Sequence, residues 1–367
     1  MQDRTPITLP VGFETFHKEN FIDYQLNRLH AFGCVPEAML HEIAADISNL
    51  RQCVEVFEAH LERAITNEQL RAARPVHPDL LDHLRHHTPK DANPMAAMRT
   101  ALSMLAAYDE EADVMDPEAN YRKAVRLTAK LPTLLAAFSR IRAGKDPVAP
   151  TQTGSTAFDF LTMLNGEEPG PAALQIMDAA LVLHAEHGLN ASTFACRVVA
   201  STEARPVSAA LAGLAALSGP LHGGAPGPVL DMLDELQGVT DKRDYLMQKL
   251  SSGQRLMGFG HRVYRTRDPR AAVLKEAVSR LGESSYLQHA EEVEQAALEA
   301  LAAHKPGRTL QTNVEFYTAV LLNEIGFGRE WFTPLFATGR ILGWMAHYRE
   351  QRATGRLIRP KAAYVGP

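Results

Sequence analysis

The sequence predicts a mostly α-helical protein built as two domains, the smaller one inserted into the larger. Three observations carry this. Apolar side chains recur at three- and four-residue spacing through most of the chain, while alternating β patterns are nearly absent. Two Gly-rich breaks, Ser218 to Pro228 with four glycines and three prolines in eleven residues and Gly326-Phe-Gly328, interrupt that monotony about a hundred residues apart. The length of 367 residues exceeds one ordinary domain. Breaks of this kind suit interdomain crossings, where a few residues absorb a hinge motion. The expected division is 1–223 and 327–367 in the large domain and 224–326 in the small one.

The helical segments follow in order. The N-terminal third should hold helices over 18–32, 36–49 and 54–65. Residues 94–107 and 117–143 are each opened by Pro or Asp-Pro, the residues that suit a first helical turn. Further periodic stretches cover 171–187, 191–202, 206–217, 228–236, 269–281, 286–303, 314–325 and 329–351. The Pro-rich stretch at 146–154 reads as a loop, and bulky residues such as Leu102, Leu105 and Leu134 read as core.

Composition narrows the class. Hydrophobic residues are 46% and charged residues 22%, which fits a soluble globular chain and excludes a disordered or fibrous one. A net charge of −5 gives no global signal for nucleic acid or a membrane surface, so any anion site must be local. Cys34, Cys53 and Cys196 form no CxxC pair, which argues against a disulfide framework or a zinc knuckle and for a reducing, cytoplasmic setting. No apolar run reaches the roughly 20 residues of a membrane span, and the N-terminus lacks a signal-peptide pattern. Asn190-Ala191-Ser192 matches a glycosylation sequon that has no meaning in such a setting.

Charge is unevenly distributed around the breaks. Residues 206–241 contain no Lys or Arg, whereas 255–280 contain seven against Asp268 and Glu276. Guanidinium groups bind carboxylates and phosphates bidentately, and the run from Gly258 to Arg270 mixes them with glycines that admit close backbone approach. A solvated basic loop is the competing reading. His222, in Pro-Leu-His-Gly-Gly ahead of a helix starting near Pro226 or Pro228, is sterically open, and a nearby helix N-terminus would keep its ring neutral as a donor to an oxyanion. His184 and His187 share a helical face, with spacing for a metal pair but no HExxH pattern, so a structural or anion-contacting pair is favoured. Glu315 falls in the first turn of a helix capped by Asn313, which by itself is ordinary helix chemistry.

Four long motifs then stand together: GPLHGGA at 219–225, RLMGFGHRVYRTRDPRA at 255–271, NVEFYTAVLL at 313–322 and LFATGRILGWMAHYREQ at 335–351. In this order and spacing the chain resembles the citrate synthase family over roughly residues 90–367. The resemblance implies a helical homodimer whose small domain closes over oxaloacetate before acetyl-CoA condenses with it, followed by hydrolysis of the citryl thioester. It implies His222, His261 and Glu315 as catalytic residues: His222 donating to the thioester oxygen, Glu315 removing the methyl proton, His261 polarising the keto oxygen and protonating the new alkoxide. His187, His261, Arg270, Arg340 and Arg359 would hold oxaloacetate, with Arg359 reaching the partner's site. Arg265 and the segment Leu256, Met257, Gly258, Phe259 and Gly260 would receive CoA. No metal and no resident cofactor is implied, acetyl-CoA being a substrate.

The alternatives are a 2-methylcitrate synthase acting on propionyl-CoA and a non-catalytic homologue that binds a dicarboxylate or acyl-CoA. Two departures from the family pattern stand out. The NVxF motif ordinarily carries Asp where this chain has Glu315, one methylene longer. Residues 1–60 match the family's opening segments poorly.

Overall fold

The computed structural model describes residues 6–7, 16–17, 67–151, 153–224, 226–260, 268–279, 284–308 and 310–360. The three helices expected between 18 and 65, His261 and Arg265 lie outside these residues.

Fourteen α-helices occur among the described residues: α1 Asn67–Ala73, α2 Pro78–His86, α3 Pro94–Leu105, α4 Pro117–Arg142, α5 Thr156–Asn165, α6 Pro171–Ala185, α7 Ala191–Ala200, α8 Pro206–Leu217, α9 Pro226–Glu235, α10 Lys242–Ser251, α11 Pro269–Ser279, α12 Ser285–His304, α13 Val314–Glu324 and α14 Phe332–Thr354. Short 3₁₀ turns occupy Ala106–Tyr108 and Arg329–Trp331, and Pro6–Ile7 pairs antiparallel with Phe16–His17. The mostly α expectation holds. Capping explains many of the starts: the side chains of Asn93, Asp116, Ser155, Asn190, Asp241, Ser284 and Asn313 accept backbone N–H groups of α3, α4, α5, α7, α10, α12 and α13.

Helices α1, α2, α5 and α10 were not visible as periodic stretches. α5 buries nearly its whole length, so no polar face marks its period. α10 buries only Leu246 and Leu250 among ten mostly polar residues, so its apolar stripe is faint.

Two bodies of packing are evident. Helices α4 and α14 lie at the centre of one, α4 against α1, α2, α3, α5 and α14, and α14 also against α6, α7 and α8. In the other, α10 packs on α12, while α9 and α11 pack on α13. Helix α11 also touches α6, which brings the segment around Arg270 to the C-terminal end of α6.

The seam between α6 and α14 depends on two glycines. A Cβ at Gly339 would lie 3.0 Å from the Leu181 carbonyl oxygen, and one at Gly343 would lie 2.4 Å from the Ala185 oxygen and 2.3 Å from Glu186 Oε2. The helices therefore approach closely on either side of Arg340. Substituting Ala for Gly in a helix ordinarily stabilises by about 1 kcal/mol. Gly343→Ala is instead expected to destabilise by about 1–3 kcal/mol, because backbone cannot yield as a flexible side chain does. Urea denaturation checks this, and a variant as stable as the parent would show that the seam has slack.

Candidate functional site

Three helix ends and the middle of a fourth helix meet around one polar centre. The C-terminus of α6 supplies His184, Glu186 and His187; the N-terminus of α7 faces His222; the N-terminus of α13 carries Glu315; the middle of α14 supplies Arg340.

His222 sits in a turn between α8 and α9, and its Nε2 is turned to α7. The Ser192 backbone N–H, in the first turn of α7, donates to Nε2 at 3.3 Å, and Ser192 Oγ lies 2.8 Å from the same atom. A ring nitrogen that accepts a backbone N–H carries no hydrogen of its own, so the ring proton belongs on Nδ1. Burial, helped by Arg340, lowers the pKa of His222 to about 4, so the ring is neutral near pH 7. The helix N-terminus it addresses is that of α7 rather than the following helix α9, and burial rather than a helix dipole is the leading cause of its neutrality. Trp344 Nε1 donates to Ser192 Oγ at 3.2 Å, and that hydroxyl lies 2.8 Å from Asn190 Oδ1. The Ser192 behind His222 is thereby tied to α14 and to the α7 cap.

The two glycines after His222 serve packing rather than openness. A Cβ at Gly223 would lie 2.2 Å from the Leu217 oxygen, and one at Gly224 would lie 2.8 Å from Pro220 Cα. Thr333 Oγ1 donates to the Gly223 carbonyl at 2.6 Å, which ties the turn to α14.

Glu315 has its backbone N–H bonded to the Asn313 cap at 3.0 Å, as its first-turn position requires. Its carboxylate is less ordinary. Oε2 is buried with no hydrogen-bond partner among the described residues, and burial raises the Glu315 pKa to about 7, opposed by Arg270 and Arg340 and reinforced by Asp268. A carboxylate poised near neutrality and left unsatisfied is suited to taking a proton from a ligand.

The cations are held from behind. Arg340 is 2% exposed; its Nε donates to the His184 carbonyl at 2.7 Å and its guanidinium lies 4.8 Å from the Phe336 ring centroid. Arg270 is also buried and meets Asp268 in a fork, Nε to Oδ1 at 3.1 Å and Nη2 to Oδ2 at 2.8 Å.

His184 has a different part from the metal ligand its spacing with His187 allowed. Its Nδ1 donates to the Ala180 carbonyl at 2.7 Å, and Thr318 Oγ1 of α13 lies 3.3 Å from Nε2. Burial, then Arg270 and Arg340, lower its pKa to about 3. It is a neutral spacer between α6, α13 and α14. His187 is half-buried just beyond α6. Among the described residues no group of His, Cys, Asp or Glu is placed to hold a metal ion.

The segment 256–260 is clamped to the entrance of α13. Gly258 and Gly260 adopt φ of 85° and 83°, conformations that favour glycine. Asn313 N–H donates to the Gly258 carbonyl at 3.0 Å, Asn313 Nδ2 to the Gly260 carbonyl at 2.9 Å, and Gly260 N–H to Gln311 at 2.7 Å. The Phe259 ring lies tilted against that of Phe316, centroids 5.3 Å apart, Leu256 is buried and Met257 packs against the core. The CoA-binding segment expected from sequence thus lies on the loop that caps the Glu315 helix, with several of its backbone groups already paired internally. Arg359 is exposed beyond α14, where the adjacent Ile358 N–H bonds Ser201 Oγ at 3.0 Å.

Ser192, Trp344, Asp268 and His184 complete the centre. Ser192 was hidden in a sequon-like triplet and Asp268 in a cationic run, so neither carried a signal of its own.

Comparison with known proteins decides the family. The model of the citrate synthase C-terminal domain matches residues 57–361. The chain belongs to the citrate synthase family. It is 45% identical over 304 residues to citrate synthase 2 of Bacillus subtilis, covering 82% of this chain and 80% of that one. It is 40% identical over 289 residues to a citrate/2-methylcitrate synthase of the same organism, covering 78% and 77%. Its fold matches a ternary complex of carboxymethyl coenzyme A and oxaloacetate with citrate synthase from Thermoplasma acidophilum, with a TM-score of 0.76, 25% identity, and coverage of 100% of this chain and 94% of that chain. Enzymes of this family are acyltransferases that condense acetyl-CoA with oxaloacetate. Among the described residues no helix is long and apolar enough to cross a membrane.

Proposed function

We propose that this chain makes citrate from acetyl-CoA and oxaloacetate through His222, Glu315 and a buried arginine pair. The supporting observation is the convergence of a neutral histidine, a carboxylate with pKa near 7 whose buried Oε2 has no partner among the described residues, and Arg270 and Arg340 on one centre.

Arg270 and Arg340 hold the two carboxylates of oxaloacetate, together with His187 and the partner subunit's Arg359; exposure of Arg359 beyond α14 fits a reach into a neighbouring protomer, so the working unit is a homodimer. Glu315 takes a methyl proton from acetyl-CoA while His222 Nδ1–H donates to the thioester oxygen, stabilising the enol(ate). The nucleophilic carbon attacks the oxaloacetate keto carbon, and His261 protonates the alkoxide that forms. Water then cleaves the citryl thioester, releasing citrate and CoA. Arg265 and residues 256–260 receive CoA. No step calls for a metal or a redox cofactor, since the thioester acidifies its own α-protons once an oxyanion donor is present.

The domain assignment belongs to the same reading: residues 224–326 form the small domain, supported by the mutual packing of α9 to α13, and 1–223 with 327–367 form the large one. The setting is the cytoplasm; Cys196 is a buried thiol 3.3 Å from the Trp344 carbonyl and, with burial raising its pKa, unsuited to redox chemistry.

CoA release followed with a thiol reagent at fixed oxaloacetate tests the activity. Release from acetyl-CoA is expected to exceed that from propionyl-CoA by about 10- to 100-fold, the range one methylene provides. The similarity to a citrate/2-methylcitrate synthase favours propionyl-CoA as a second substrate. Equal or reversed rates would make the chain a 2-methylcitrate synthase. No release with either, alongside oxaloacetate binding, would leave a dicarboxylate-binding homologue.

A further inference from the structure

We infer that Asp268 is a positioning residue that fixes the oxaloacetate anchor and the catalytic base relative to each other. The inference rests on the assignments of Arg270 and Glu315 above.

The Asp268 side chain is 1% exposed and its two oxygens serve two elements at once. Oδ1 accepts from the Arg270 backbone N–H and from Arg270 Nε, each at 3.1 Å. Oδ2 accepts from Arg270 Nη2 at 2.8 Å and from the Val314 backbone N–H at 3.1 Å. Val314 is the first residue of α13 and the immediate neighbour of Glu315. One carboxylate therefore sets the plane of the guanidinium that is to meet substrate and also binds the helix end that aims the base. Asp268 is itself fixed by its own N–H, which donates to the Thr312 carbonyl at 3.2 Å.

The arrangement has a chemical logic. The Arg270 side chain and Glu315 Oε2 are both buried. An arginine fork fixed on one edge offers its other edge in a single plane, which suits one substrate carboxylate. Catalytic distances tolerate little error, a displacement of about 1 Å being worth roughly 100-fold in rate. A single carboxylate bridging anchor and base keeps the distance between substrate and proton acceptor constant when the surrounding helices shift. Asp268 also places a negative charge near Glu315, opposing Arg270 and Arg340, which favour its ionised form.

The test compares Asp268→Asn, Val314→Pro and Arg270→Ala. Asp268→Asn replaces one carboxylate oxygen with an amide NH2 that donates and cannot accept, so the KM for oxaloacetate should rise about 10- to 100-fold, the equivalent of one or two charge-assisted hydrogen bonds, with the KM for acetyl-CoA little changed. The pH limb of kcat/KM belonging to Glu315 should move to lower pH, because an anionic neighbour is lost and Arg270 is no longer neutralised. Val314→Pro removes the donor from α13 at a first-turn position that tolerates Pro, and exchanges one buried apolar side chain for another; it should lower kcat about 10- to 100-fold at nearly constant oxaloacetate KM, and it serves if Asp268→Asn does not fold. A uniform loss of kcat in Asp268→Asn with unchanged oxaloacetate KM and an unmoved limb would overturn the inference, as would parental kcat in Val314→Pro. Arg270→Ala separates this from the site assignment: if it too leaves the oxaloacetate KM unchanged, the assignment of the anchor fails first.

Discussion

Glu315→Gln lowers kcat by about 10²- to 10⁴-fold, the contribution expected of a positioned general base, and leaves the KM for oxaloacetate nearly unchanged. The amide keeps the shape and the helix cap while losing the ability to take a proton. The pH dependence carries the sharper result. With burial holding the Glu315 pKa near 7, the base is available only as pH rises through that value, so the parent's kcat/KM climbs through about pH 7 and levels above it. The variant loses that limb. Stability runs the other way. A carboxyl whose folded pKa is raised above its unfolded value contributes stability that is fully present below the unfolded pKa and lost as pH rises through about 7. Glu315→Gln should therefore melt above the parent at pH 8 and close to it at pH 4.5. Differential scanning calorimetry at the two pH values checks the second half, stopped-flow or steady-state rates the first. An unchanged pH profile in the variant would assign the base elsewhere.

His222→Ala removes the donor to the enolising thioester and should cost about 10²- to 10³-fold in kcat, the loss typical for one oxyanion donor. Because burial holds the His222 pKa at about 4, the histidine is neutral over the whole working range, and its loss should not alter the limb near pH 7. That independence separates the two residues: Glu315 sets the pH dependence and His222 sets the height of the plateau. Ser192→Ala gives a milder version, since the backbone N–H that fixes the ring remains while the hydroxyl and its link to Trp344 are lost. Retention of full rate in His222→Ala would remove it from the chemistry.

Much of this was legible in the chain. The helical class followed from apolar spacing and from Pro and Asp-Pro at helix starts, and α3, α4, α6 to α9 and α11 to α14 lie where that spacing puts them. α5 escaped because Thr156, Asp159 and Thr162 are buried alongside its apolar residues, and α10 because two leucines make too thin a stripe. The cationic tract by itself left an anion site and a solvated loop open, and the family resemblance singled out Arg270 within it and Arg340 in the motif at 335–351. Glu315 by itself looked like an ordinary first-turn carboxylate behind the Asn313 cap, and only the long motifs around it singled it out.

Local chemistry is written in nearest neighbours along the chain, and so the sequence alone determined most of the helices and the inventory of acid, base and cation. What it could not determine is which groups lose water together. Desolvation, which moves Glu315 up and His222 and His184 down, depends on helices far apart in sequence closing over the same volume. The neutral histidine, the near-neutral carboxylate and the double duty of Asp268 exist only when α6, α7, α11, α13 and α14 meet, which is a property of packing and not of any one segment.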